Sequence, residues 1–187
     1  MKVLLVLAHH RRQSVTGQVC DLFAAALARN GHATEIADLA AEGFDPVLRE
    51  DDEPDWDNPR KRYSDAVQRE MERIERNEAT ILFFPVYWWS MPALAKGWID
   101  RVWNNGWAYG DRFYPHRKAW MVAIAGSDAA GFAKRGYDAA MVTQLHTGIL
   151  DYCHIKETRL ELLHSTLEGP EGIAKLFAAA QALAAEF

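Results

Sequence analysis

Two short stretches carry side chains that could do chemistry. The first is HHRRQSVT, residues 9–16, which gathers imidazoles, guanidiniums and hydroxyls and contains no glycine. The free N–H groups where a helix begins, here at Ser14, Val15 and Thr16, make an anion site together with the Ser14 and Thr16 hydroxyls. His9, Arg11 and Arg12 add donors or charge. The plainer reading is a capped helix behind a polar surface loop. The second stretch is FFPVYWWSMPALAKGWIDRVW, residues 83–103, with four of the chain's seven tryptophans. Pro85, Val86, Tyr87, Trp88 and Trp89 there end an apolar run with a flat aromatic surface. A hydrophobic patch or subunit interface is the other use of such rings, because tryptophan buries large area in both kinds of site. One loop offers phosphate donors and the other offers planar rings, so a ligand with a phosphate and a flat ring system would use both.

The elements that must position these loops follow from periodicity. Val3–Ala8 is a continuous apolar run, as expected of a central parallel strand covered on both faces. Ser14 caps the helix after it, whose inner face is Val15, Val19, Leu22, Phe23, Ala26 and Leu27 at helical spacing. Asn30-Gly31 ends that helix. Residues 32–39 read as a second strand. Residues 43–60 are acidic, proline-containing and aperiodic, a long surface excursion. Tyr63, Val67, Met71 and Ile74 mark the next helix, and Ala79–Val86 the next strand. Ser90 is expected to cap a helix with Pro92 in its first turn and Leu94, Ala95, Trp98, Ile99 and Val102 inward. After irregular residues 104–118, Ala119–Ala125 is a fourth strand ending at Gly126-Ser127. A helix over Tyr137–Leu150, a strand over Ile155–Leu163 and a helix over Pro170–Ala184 complete the chain. This βα alternation predicts a single domain over residues 1–187. It is an α/β/α three-layer sandwich whose five-stranded parallel sheet has the flavodoxin-like order 2-1-3-4-5. The switch point then lies between the carboxyl ends of the first and third strands, where both loops sit. Flavin nucleotides have the phosphate and the planar ring that such a site wants.

Composition narrows the classes. The chain has 187 residues and a formal charge of -5, and its basic residues are scattered in small groups, which speaks against nucleic acid. GxGxxG and GxxxxGK[ST] are absent, against a dinucleotide-binding Rossmann domain and a P-loop NTPase. The two cysteines, Cys20 and Cys153, form no CxxC, in keeping with a reducing, cytoplasmic location. No 18-residue apolar run exists. The seven histidines form no short ligand pair, so no metal site is expected. Ser127-Asp128 near His146 can be drawn as a triad, but nothing sets the serine on an elbow. His146 falls on the helix from Tyr137, either as a pocket-facing donor or as a satisfied helix residue.

Three stretches resemble the NAD(P)H dehydrogenase (quinone) family of flavodoxin-like oxidoreductases, which includes quinone reductases and ancillary subunits of bacterial potassium-efflux systems. They are VLLVLAHHRRQSVTG (residues 3–17), ILFFPVYWWSMPALAKGWIDRVWNNGWAYG (residues 81–110), and AIAGSDAAGF (123–132) through LHTGILDYCHIKETRLELL (145–163). The resemblance implies a tightly bound FAD, or FMN, that takes hydride from NADPH or NADH and reduces a quinone or similar acceptor. It places His9 beside the phosphate region with Ser14 and Thr16. It sets Pro85, Val86, Trp88 and Trp89 along the ring edge, and Gly126 with Ser127 at the other edge. Tyr109 becomes a substrate-pocket residue contributed across a homodimer. His10 departs from the small residue or proline usual after His9, and Asp128 departs from the usual glycine-rich third loop. The chain also stops at Phe187, without the C-terminal extension of longer members. Hydride transfer over one flavin face requires no side-chain nucleophile, and one pocket serving two substrates in turn implies ping-pong kinetics. The alternatives that the resemblance leaves are an electron carrier and a regulatory subunit of a membrane transporter, for which acidic residues 50–57 are a docking candidate.

Overall fold

The computed structural model describes residues 1–187. Five parallel strands form one sheet: β1 Lys2–Leu7, β2 Ala33–Asp38, β3 Ala79–Pro85, β4 Lys118–Ile124 and β5 Glu157–Leu163, in the order β2-β1-β3-β4-β5. The register pairs Val3 with both Thr34 and Ala79, and Ala79 with Lys118. Every residue of β3 is buried, as a central strand covered on both faces requires. Helices α1 Val15–Arg29 and α6 Gly169–Ala185 cover one face over Val19, Phe23, Phe83, Trp120 and Leu176. Helices α2 Asp65–Glu75 and α3 Ala93–Val102 cover the other, over Leu4, Leu82, Phe84, Trp98 and Val102, with the segment after β4.

That segment differs from a single helix over Tyr137–Leu150. Asp128 caps a short helix α4, Ala129–Arg135, by accepting from the Gly131 N–H at 2.7 Å. Gly136, with φ of 69°, breaks it. Helix α5, Tyr137–Met141, then widens into a π-helix over Val142–Asp151. Asp128 is therefore a helix cap. Ser90 is not the cap of α3, since Pro92 occupies that position and Ser90 closes a turn instead.

The excursion is pinned, not loose. Asp52, 1% exposed, takes the Ser64 N–H (2.8 Å) and hydroxyl (3.0 Å) and two bonds from the Arg101 guanidinium (3.1 and 2.7 Å). One acid of the proposed docking stretch is thus internal structure. Gly97 of α3 is the seat for the excursion, because a Cβ there would lie 2.1 Å from the Pro46 carbonyl oxygen. Trp103 (5% exposed) and Trp107 (8%) are also buried within one chain. The irregular loop after α3 folds them against Tyr114, and Trp107 donates to Glu75 at 2.8 Å. An irregular loop reads in sequence as hard to bury within one small core, yet these two tryptophans need no partner chain for burial.

Candidate functional site

Three strand-end loops converge. Ser14 caps α1 by accepting from the Gly17 N–H at 3.1 Å, and its own N–H donates to the Arg11 carbonyl at 3.2 Å. The N–H groups of Val15 and Thr16 then find no acceptor in the chain, which leaves two donors at the positive end of a 15-residue helix. His9, 8% exposed, accepts the Arg11 N–H on Nδ1 at 2.9 Å, so its proton sits on Nε2. Burial, His10 and Arg11 hold its pKa below the ordinary value, so it acts as a neutral donor. Arg12 is engaged elsewhere: it pairs with Asp21 and Asp38 and reaches the Gly17 carbonyl at 3.2 Å.

After β3 the chain makes a tight turn. Tyr87 N–H donates to the Ser90 carbonyl at 3.0 Å and Ser90 N–H to the Tyr87 carbonyl at 3.1 Å. Trp88 and Trp89 between them have φ of 50° and 59°, the left-handed region that side chains avoid. Their N–H groups have no acceptor in the chain, whereas that of Ser90 is used internally. The Trp88 ring stands 91% exposed, while Trp89 stacks on Tyr137 at 3.9 Å. Ser90 Oγ donates to Gln144 of the π-helix at 2.5 Å, which ties the turn to that element. After β4, the N–H groups of Gly126 and Ser127 are likewise without an acceptor.

These loops border a cavity of about 330 Å³ lined by Val86, Tyr87, Trp88, Trp89, Gly126, Ser127, Phe132 and Leu167. Pro85 is buried at the strand end behind it. Of the sequence candidates, Val86–Trp89, Gly126 and Ser127 meet here. His9, Ser14, Val15 and Thr16 lie on the neighbouring loop, since β1 and β3 are paired. Phe132 and Leu167 were not legible: Phe132 belongs to a helix with no clear period, and Leu167 to a turn.

Tyr109 and His146 do not line this cavity. Tyr109 borders a second one, of about 340 Å³, with Leu48, Trp56, Trp103, Ile149, Tyr152 and Cys153 among its walls. Burial pushes the Cys153 thiol up to about 12, which makes it an inert wall. His146 Nδ1 lies 3.3 Å from Asp151, a pairing five residues apart that the wide π-helical turn favours. His146 therefore sits on the π-helix beside Asp151 and lines neither cavity.

Residues 1–187 match the family model for the flavodoxin-like fold. The chain is 36% identical over 168 residues to an uncharacterized NAD(P)H oxidoreductase, YcaK, of Escherichia coli (strain K12), covering 89% of this chain and 85% of the relative. The chain belongs to the NAD(P)H dehydrogenase (quinone) family. A rat ribosyldihydronicotinamide dehydrogenase [quinone] is 27% identical over 179 residues, 83% of this chain and 78% of that one. Among solved structures, the NAD(P)H:quinone oxidoreductase from Methanothermobacter marburgensis superposes with a TM-score of 0.91 at 26% identity, covering 100% of this chain and 95% of the other. No helix is long and apolar enough to cross a membrane.

Proposed function

We propose that the protein is a flavin-dependent NAD(P)H oxidoreductase that passes two electrons by hydride transfer to a quinone or similar small planar acceptor. The observation that carries this reading is the set of acceptor-free backbone N–H groups at Val15, Thr16, Trp88, Trp89, Gly126 and Ser127, grouped on three adjacent loops beside an aromatic cavity. Its donors and apolar walls fit a flavin. The Val15 and Thr16 N–H groups and His9 Nε2–H suit the phosphate. The Trp88, Trp89, Gly126 and Ser127 N–H groups suit the polar ring edge, where they would steady negative charge. A bound flavin supplies the hydride chemistry. FAD is the form favoured, because the first loop resembles that of FAD-binding members; mass analysis of the released cofactor distinguishes it from FMN.

NADPH is favoured over NADH because Arg11 is exposed and in no ion pair, a free cation for a 2'-phosphate. Arg12 and Arg117 are held by Asp21 and Glu157. Tyr109 takes its acceptor-side role across a homodimer, in a cytoplasmic setting that the two free thiols suit. The test is steady-state NAD(P)H oxidation with menadione or benzoquinone, on protein of known flavin content, varying both substrates. Parallel double-reciprocal lines are expected, since one face serves both substrates in turn. Intersecting lines would defeat the one-pocket scheme. Full flavin content without turnover would move the reading to an electron carrier or a transporter's regulatory subunit.

A further inference from the structure

The turn between β5 and α6 holds a leucine in the open. Leu167 is 83% exposed, yet its backbone is fastened. Ser165, Thr166 and Leu167 donate in succession to the carbonyls of Ser127 (3.2 Å), Ala125 (3.2 Å) and Gly126 (3.1 Å). Ser165 takes φ of 78° to let this happen, and His164 Nδ1 adds a contact of 3.2 Å to the Ser127 carbonyl. The glycine at position 126 leaves room for the Leu167 side chain to rest against this loop, since a Cβ there would lie 2.9 Å from Leu167 Cδ1. Two loops are thereby zipped together, and the product is an apolar side chain in the wall of the 330 Å³ cavity, beside the free N–H groups of Gly126 and Ser127.

An exposed leucine on a mobile tip needs no explanation. One fixed by three backbone bonds and a left-handed serine, over a glycine, is a preorganised contact whose burial waits for a ligand. We propose that Leu167 is a binding residue for the planar ring system of the flavin, covering its apolar part while the Gly126 and Ser127 N–H groups face its polar edge. This rests on the flavin reading above. The contact involves the ring and not the phosphate, so its loss is felt equally by riboflavin, which has no phosphate, and by FMN.

The test uses the full chain stripped of cofactor, with affinities for riboflavin, FMN and FAD read from the quenching of flavin fluorescence, and thermal unfolding of each apoprotein as the control. Leu167→Ala is expected to weaken riboflavin and FMN by the same factor, about tenfold. Leu167→Met should recover most of that loss, and the apoprotein melting temperature should stay unchanged. A Leu167→Ala protein that binds all three flavins as wild type does would overturn the assignment. So would a loss confined to FMN and FAD, or one that tracks a lowered melting temperature, since either makes the residue a support for the loop. A wild-type chain that binds none of the three overturns the flavin reading itself, a result distinct from indifference to the substitution.

Discussion

At Trp88 and Trp89 the chain accepts backbone strain to present two N–H groups and a bare indole. Tryptophans at φ of 50° and 59° occupy a turn where asparagine and glycine are the ordinary choice. Such strain persists where the surroundings over-determine it, and it marks sites of function. Trp88→Gly should therefore stabilise the apoprotein, by about 1 kcal/mol, because the exposed ring contributes little packing and glycine relaxes the turn. The same change should weaken flavin binding. Urea unfolding of the apoprotein alongside a flavin titration checks both, and a variant less stable than wild type would contradict the strain argument. The sequence announced the aromatic turn because three large rings at a strand end have no core use. It did not announce the sign of φ, or that Ser90 would spend its N–H inside the turn. Those depend on the closing bonds between Tyr87 and Ser90, which side-chain types do not encode.

Elements hold the site through two buried polar clusters. In the first, burial alone would raise the Asp52 carboxyl, but bonds from Arg101 and from Ser64 outweigh it and hold the pKa below the usual carboxylate range. A depressed carboxylate stabilises the fold above its unfolded value, and that contribution is lost as pH falls through the folded one. Removing one partner strands a buried guanidinium, so Asp52→Asn should cost about 3 kcal/mol in urea unfolding, with part recovered by adding Arg101→Met. A near-neutral Asp52→Asn would show that the excursion is held by its other bonds, such as that from Asn105 Nδ2 to the Asp55 carbonyl at 2.8 Å. In the second cluster His116, 4% exposed, contacts Thr80 Oγ1 at 2.9 Å and the Ile74 carbonyl at 2.8 Å. Burial holds its pKa below the ordinary value against the raising effect of the Ile74 bond. The unfolded chain takes up a proton near about pH 6.5 that the folded chain resists, so stability is full above that pH and declines below it. His116→Gln should flatten this decline, leaving the part of the same sign from His9; an unchanged slope would place the acid sensitivity elsewhere. The helices and strands around these clusters were legible from period. The clusters were not, since Asp52 pairs with Arg101 across an aperiodic stretch and reads in sequence as one more surface acid.

On the scale of the whole molecule, strand order was open to sequence reasoning because the apolar runs of β1 and β3 identify the centre and crossover handedness then permits few arrangements. The aromatic loop after α3 has no period from which burial could be read, and Trp103 and Trp107 find room inside the chain, beneath the excursion and against Tyr114. What stays open on that side is a row of rings, Trp56 5.8 Å from Tyr109 and Tyr109 5.6 Å from Tyr152, with Trp56 70% and Tyr152 58% exposed. Tyr109 lies outside the cavity proposed for the flavin in its own chain, so a role in acceptor binding requires it to act on a partner's cavity. A C2 pair makes two equivalent composite sites, and that allows complementation. Tyr109→Ala should lower kcat/KM for quinone more than flavin content. Gly126→Leu should fill the cavity, because Gly126 is part of its wall and a leucine there adds a branched side chain beside Leu167. Each variant alone then has two damaged sites. Dissociated, mixed in equal amounts and reassociated, half of the pairs are mixed, and each mixed pair has one intact site, made from the cavity of the Tyr109→Ala chain and the tyrosine of the other. Activity should rise to about a quarter of wild type. A mixture no more active than the average of its two components, or a monomer with full activity in sedimentation, would confine Tyr109 to its own chain and remove it from the acceptor site.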